Sequence, residues 1–245
     1  MAQALKRPGG ELATRPLHFI WMVDCSGSMY GEKIGSVNHA IQSTIPEMQD
    51  AAKNNPNAQL MIRTLKFSTG ASWVTPNPIN IEDFAWDDLD AGGVTDLGKA
   101  FEMVAAQLTI PPMTDRALPP VIVLLSDGQP TDDYKKSLDT LLHLPWGKKA
   151  VRIAISIGQD ADDDVLQQFT GNRELVLQAN NPEALVKMIK WASTAASLVS
   201  APASKPKDIV DNLPATNDPS ATNAPLVLDM NNIPDPSQIG AGDVW

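Results

Sequence analysis

At 245 residues the chain suits one α/β domain of ordinary size plus an extension. Its formal net charge of −10, from 29 Asp and Glu against 19 Lys and Arg, speaks against nucleic acid or an anionic membrane as a general partner. The single cysteine, Cys25, excludes an internal disulfide and suits a reducing compartment, and no stretch approaches the ~20 apolar residues of a membrane span.

Residues 1–15 carry Lys6, Arg7 and Glu11 without the continuous apolar core of a secretory signal, so they read as an N-terminal extension of a cytoplasmic protein. Leu17 to Val23 is an apolar, buried-type strand, and it runs straight into Asp24-Cys25-Ser26-Gly27-Ser28. Ile34, Val37, Ile41, Ile45 and Met48 then mark one face of a helix, in which Pro46 is expected to introduce a kink. Leu60 to Phe67 and Ala71 to Thr75 flank Ser68-Thr69-Gly70 and predict a hairpin, hence one antiparallel edge strand. After the acidic loop residues Asp83, Asp87, Asp88 and Asp90 comes Gly92-Gly93-Val94-Thr95-Asp96-Leu97-Gly98. Thr95 stands where a helix should begin, because Ala100, Phe101, Val104, Ala105 and Leu108 follow at helical spacing.

Val121 to Leu125 is a second buried-type strand, ending in Ser126-Asp127-Gly128-Gln129-Pro130. A helix over Tyr134 to Leu142, a strand over Ala150 to Ile157 and a helix over Asp163 to Phe169 follow. Asp160, Asp162, Asp163 and Asp164 favour the positive end of that last helix. A short strand over Glu174 to Leu177 and a helix from Pro182 to about Leu198 complete the domain, 16–200. Such alternation implies a mostly parallel sheet with helices on both faces. From Ala201 to Trp245 the composition turns to Pro, Ala, Asn, Asp and Ser, a mixture expected to be disordered by itself. Its apolar islands (Ile209-Val210, Leu213, Leu226-Val227-Leu228, Met230, Ile233, Ile239, Val244-Trp245) suit either an inert tail or a second docking element, in cis or in trans. In one variant Asp243 or the terminal carboxylate of Trp245 reaches the metal site described next.

Ligands bind open parallel sheets beyond the carboxyl ends of the strands, and three polar loops converge on that edge. They bring Asp24, Ser26, Ser28, Thr95 and Asp127: five hard oxygen-bearing groups, but only two formal negative charges. Such a set suits Mg²⁺, with Mn²⁺ or Ca²⁺ as alternatives, rather than a soft metal. Mg²⁺ takes six oxygens at roughly 2.1 Å, so waters and one group from outside the chain would complete the shell. Zinc is not expected, since His18, His39 and His143 form no His-x-x-x-His or Cys-His cluster.

The ordered set Asp24-Cys-Ser26-Gly-Ser28, Thr95 and Ser126-Asp127-Gly128 resembles the Asp-x-Ser-x-Ser, Thr, Asp pattern of von Willebrand factor A domains, and the resemblance covers roughly Pro16 to Ser200. It implies a three-layer, doubly wound, Rossmann-like α/β fold with six strands in the order 3-2-1-4-5-6, strand 3 antiparallel. It also implies a metal-ion-dependent adhesion site. There Ser26 and Ser28 would meet the cation directly, Thr95 directly or through water, and Asp24 and Asp127 would hold waters and the serine hydroxyls. A partner's Asp or Glu would take the open position. The wording of Pro16 to Met29 and of Gly92 to Gly98 is similar to the bacterial tellurium-resistance (TerY-type) subgroup. That similarity implies a cytosolic adaptor in a stress-response or phosphosignalling assembly with a serine/threonine kinase and a PP2C-type phosphatase. Some relatives end in a cysteine-rich zinc segment, where this chain has its proline-rich tail.

The leading expectation is therefore a binding module and not an enzyme. A rival is a substrate-recruiting subunit of an ATP-driven remodelling machine of the magnesium-chelatase-like or MoxR type. A third reading, a metal-dependent phosphohydrolase, fares worse. A haloacid-dehalogenase-like site needs a second Asp where Ser26 stands, and neither a Gly-x-Ser-x-Gly elbow nor a Walker loop occurs.

Overall fold

The structure is a computed structural model that describes residues 14–55, 58–159, 161–200 and Ile233, with nothing said of the side chains of 194–200. The expectations for the N-terminal extension and for the tail lie outside these residues, apart from residues 14 and 15 and Ile233. Along the described chain run β1 (Arg15–Asp24), α1 (Glu32–Lys53), β2 (Ala58–Ser68), β3 (Gly70–Trp73), β4 (Ile79–Asn80), α2 (Leu97–Gln107) and β5 (Val121–Ser126). Then come α3 (Lys135–His143), α4 (Pro145–Lys149), β6 (Val151–Ile157), α5 (Asp163–Thr170), β7 (Val176–Ala179) and α6 (Pro182–Ser200).

The sheet order is β3-β2-β1-β5-β6-β7. Every pairing is parallel except β2 with β3 and the two-residue β4, which also pairs antiparallel with β2. The expected order and antiparallel edge are present, and β4 is an addition. β1 is central and buried on both faces, which is why its sequence reads as an unbroken apolar run. Alternation still sorts its side chains. Phe19, Trp21 and Val23 join the core under α1 and α6, while Ile20 and Met22 join the core under α2, α3 and α5. Val121, Val123 and Leu125 of β5 divide from Ile122 and Leu124 in the same way.

Two features of this frame position the site. The chain winds from β1 toward β2 on one side and from β5 toward β6 on the other, so a crevice opens between the ends of β1 and β5. Val23 pairs with Leu125, so the next residues, Asp24 and Ser126, leave the sheet side by side.

As expected, Pro46 lies within α1, which continues past it to Lys53 with Ile41, Ile45 and Met48 buried against the core. Proline removes one backbone bond, and burial of that apolar stripe on both sides of it offsets the loss. β7 begins two residues later than expected, because Arg173–Leu175 forms a 3₁₀ turn whose Glu174 N–H donates to Asn172 Oδ1 at 3.0 Å. Of the acidic group before α5, Asp162 is the cap, accepting from the Asp164 N–H at 3.1 Å. Asp163 instead ties α5 to the sheet, accepting from Ser156 Oγ and from Gln178 Nε2, both at 2.7 Å. Among the described residues no helix is long and apolar enough to cross a membrane.

Candidate metal centre

Beyond β1 the chain makes a 3₁₀ turn, Gly27–Met29, that places Ser26 and Ser28 on one side with their hydroxyl oxygens 3.0 Å apart. Asp24 is fully buried beneath them. Its Oδ1 accepts the Ser26 N–H at 2.9 Å, and its Oδ2 accepts the Ser126 hydroxyl at 2.5 Å. Ser126 Oγ in turn accepts the Gly128 N–H at 2.9 Å, which folds the third loop over the first. Asp127 is fully buried, and among the described residues neither of its carboxylate oxygens has a hydrogen-bond partner. Buried polar atoms are nearly always paired, so two orphaned oxygens on one carboxylate call for a ligand.

The loop carrying Thr95 is sewn to both others. Gly92 N–H donates to Cys25 O at 2.7 Å and Gly27 N–H to Gly93 O at 3.0 Å, binding it to the first turn. Thr131 N–H donates to Thr95 O at 2.9 Å, and Thr95 N–H to Thr131 Oγ1 at 3.0 Å, binding it to the loop after β5. Gly93 has φ +88°, and a Cβ there would lie 2.5 Å from Thr69 Oγ1. Gly128 has φ +71°, and a Cβ there would lie 2.4 Å from Asp162 O. Both positions need glycine for conformation and for close approach.

All five residues expected at the site thus stand on three mutually bonded loops. Ser28 is solvent-exposed, whereas Asp24, Ser26, Thr95 and Asp127 are buried. Burial pushes the Asp24 carboxyl up to about 6, and the nearby Asp127 charge adds to the rise; hydrogen bonds from Ser126 and Ser26 pull the other way. Burial and the neighbouring negative charge both disfavour the ionised form of Asp24, and a cation bound beside it would relieve that. Among the described residues no group of three or more His, Cys, Asp and Glu could hold a metal, so hydroxyl oxygens must supply much of any shell. Cys25 faces the core, and burial raises its thiol to about 12, which disfavours the thiolate that a nucleophile needs.

Sequence reasoning missed two supporting residues. Ser126 reads in sequence only as part of a turn; its bridge to Asp24 emerges from the register of β1 on β5. Asp132, from the loop after β5, caps α2 from outside by accepting from the Gly98 N–H at 3.0 Å and the Lys99 N–H at 3.3 Å. Thr95 lies one residue before the helix boundary and is not its cap, while the Asp96 carboxylate accepts from Gly70 N–H in the β2–β3 hairpin at 2.7 Å. Asp132→Ala is expected to cost about 1 kcal/mol, the usual loss for a cap, seen in thermal unfolding as a Tm lower by about 2–4 °C.

The von Willebrand factor type A domain model matches residues 20–191, well over half of the chain. The chain belongs to that family. No curated protein matches this VWA domain by sequence. Solved structures do resemble its fold. A von Willebrand factor type A protein from Catenulispora acidiphila aligns with TM-score 0.55 at 16% identity, over 76% of this chain and 43% of its own. The ArnB paralogue VWA2 from Sulfolobus acidocaldarius aligns with TM-score 0.53 at 21% identity, over 71% and 44%. Proximal thread matrix protein 1 from the mussel byssus, in a form with a zinc-occupied MIDAS motif, aligns with TM-score 0.57 at 18% identity, over 76% and 50%. The chain therefore spans half or less of each of these longer proteins.

The same loops carry an uncommon surface. Among the described residues three large hydrophobic side chains are exposed, and two of them, Tyr30 at 79% and Val94 at 45%, flank the backbone bond that joins the first two loops.

Proposed function

We propose that the protein is a divalent-cation-dependent interaction module that grips an acidic side chain of a partner protein through the open coordination position of its metal. The observation that carries this reading is Asp127, buried beside Asp24 with both carboxylate oxygens unpartnered among the described residues. Ser26, Ser28 and Thr95 would offer hydroxyl oxygens to the ion, and Asp24 and Asp127 would hold the hydroxyls and waters around it. With only two carboxylates, the ion keeps enough positive charge to attract a third from the partner. Mg²⁺ suits these hard oxygens best, with Mn²⁺ or Ca²⁺ as alternatives. The zinc in the mussel protein's MIDAS motif makes zinc a further candidate to be measured. The ion is held for recognition, and the protein is not an enzyme. Tyr30 and Val94, exposed on the first two loops, favour an acidic residue with an apolar neighbour, since such side chains bury well at interface centres.

The wording of Pro16 to Met29 and Gly92 to Gly98 supports the narrower TerY-type reading: a cytoplasmic adaptor in a stress-response or phosphosignalling assembly, with a serine/threonine kinase and a PP2C-type phosphatase as partners. A single, buried cysteine accords with that compartment.

The test is affinity capture from native extract with the full chain as bait, in Mg²⁺ and again in chelator. Partners should be held in Mg²⁺, released by chelator, and lost from a folded Ser26→Ala bait. Equal retention in all three would remove the metal from recognition. Kinase and phosphatase among the released proteins would support the assembly, and an ATPase in their place would favour the remodelling-machine alternative.

A further inference from the structure

Ile233 is the described residue of the tail, and it is half-buried. It packs against the core on the α1 and α6 side of the sheet. With Arg173, Glu174, Val176, Leu177 and Met188 it lines a groove of about 320 Å³. The groove runs along β7, the last strand of the sheet, whose outer side has no strand partner among the described residues. Leu177 and Met188, 3% and 0% exposed, give it an apolar patch, and Asp163, Arg173, Glu174 and Gln178 complete its lining. An uncovered strand edge invites pairing with other chains, and proteins commonly cover such edges.

We propose that the tail segment centred on Ile233 folds back onto its own domain and docks in this groove, a clasp over the β7 edge and the flank of α6. Three observations favour this occupant. Ile233 itself is seated there. The segment carries further apolar side chains, Leu226, Val227, Leu228 and Met230, within seven residues of Ile233. Pro234 and Pro236 follow, and a residue before proline is held extended, which suits Ile233 to a strand-like approach and not to a helix. The connection is also long enough. Met188 stands 12 residues up α6 from Ser200, about 18 Å along the helix, whereas the 33 residues from Ser200 to Ile233 can span on the order of 110 Å. The clasp is independent of any metal, so its fate does not decide that of the adhesion site.

The full chain carrying Leu177→Cys and Ile233→Cys, which line the groove from the same face of the sheet, tests it, with Leu177→Cys and Ala221→Cys as control. Cys25 is buried and does not compete. Under mild oxidation in dilute solution the first pair should close within one chain, run as a monomer, and form at least fivefold faster than the control pair. Equal rates would overturn the proposal, and so would disulfide-linked dimers as the main product, which would place the segment on a second copy. Amide hydrogen exchange gives an independent readout. Ile233→Asp should speed exchange at residues 173–179 at least fivefold while leaving β1 unchanged, and unaltered exchange there would overturn the clasp.

Discussion

Replacing Asp127 with asparagine is expected to raise the melting temperature of the metal-free protein and to erase the stabilisation that Mg²⁺ gives the parent. The two effects share a cause. In the folded chain the Asp127 carboxylate is buried with neither oxygen paired among the described residues; the near-isosteric amide is also left unpaired but has no charge to desolvate, a difference of about 1–3 kcal/mol. For a domain of this size that corresponds to about 3–10 °C in Tm. The parent should recover the loss by binding the ion, since a ligand at a hundred times its Kd stabilises by about 2.7 kcal/mol. Thermal unfolding of both proteins in chelator and in saturating Mg²⁺ reads all four values. A variant that melts lower in chelator and keeps the Mg²⁺ shift would mean that Asp127 braces the fold and does not serve the ion.

The second large effect is on pH. The Asp24 carboxyl titrates at about 6 in the folded chain against an ordinary 3.8. Between these values the folded state holds a proton that the unfolded state has released. The metal-free protein must therefore lose stability as pH rises through that window, and the loss levels off above about 6. Its size is roughly 3 kcal/mol, at 1.36 kcal/mol per pH unit. Other carboxylates titrate in the same range, so the measurement is the difference between the parent and Asp24→Asn, followed by thermal unfolding from pH 4 to 8 in chelator. The parent should fall relative to the variant with rising pH. Mg²⁺ competes with that proton, so apparent Mg²⁺ affinity should weaken up to about tenfold per unit as pH drops below 6. A parent-minus-variant difference that is flat with pH would show Asp24 to be ionised throughout.

Much of the fold was legible because β1 and β5 are buried on both faces. Val23 and Leu125 end unbroken apolar runs, and polar turns after such runs mark the crevice edge of a parallel sheet. The five candidate site residues were read from the same signal, since each belongs to a turn immediately beyond a strand or before a helix. What stayed hidden depends on contacts between distant segments. Asp132 caps a helix 35 residues earlier in the chain, and Ser126 reaches Asp24 across 102 residues. No local pattern announces either. The tail's islands suggested docking without a place for it, because an apolar residue in a polar segment does not name its receptor.

The three crevice loops are joined largely through main-chain atoms: Gly92 to Cys25, Gly27 to Gly93, Thr131 to Thr95. Tyr30 and Val94 stand on that frame without belonging to it. Randomising these two positions should therefore redirect which proteins the module captures while leaving its shape intact, so partner choice can drift in evolution, or be re-engineered, without rebuilding the grip.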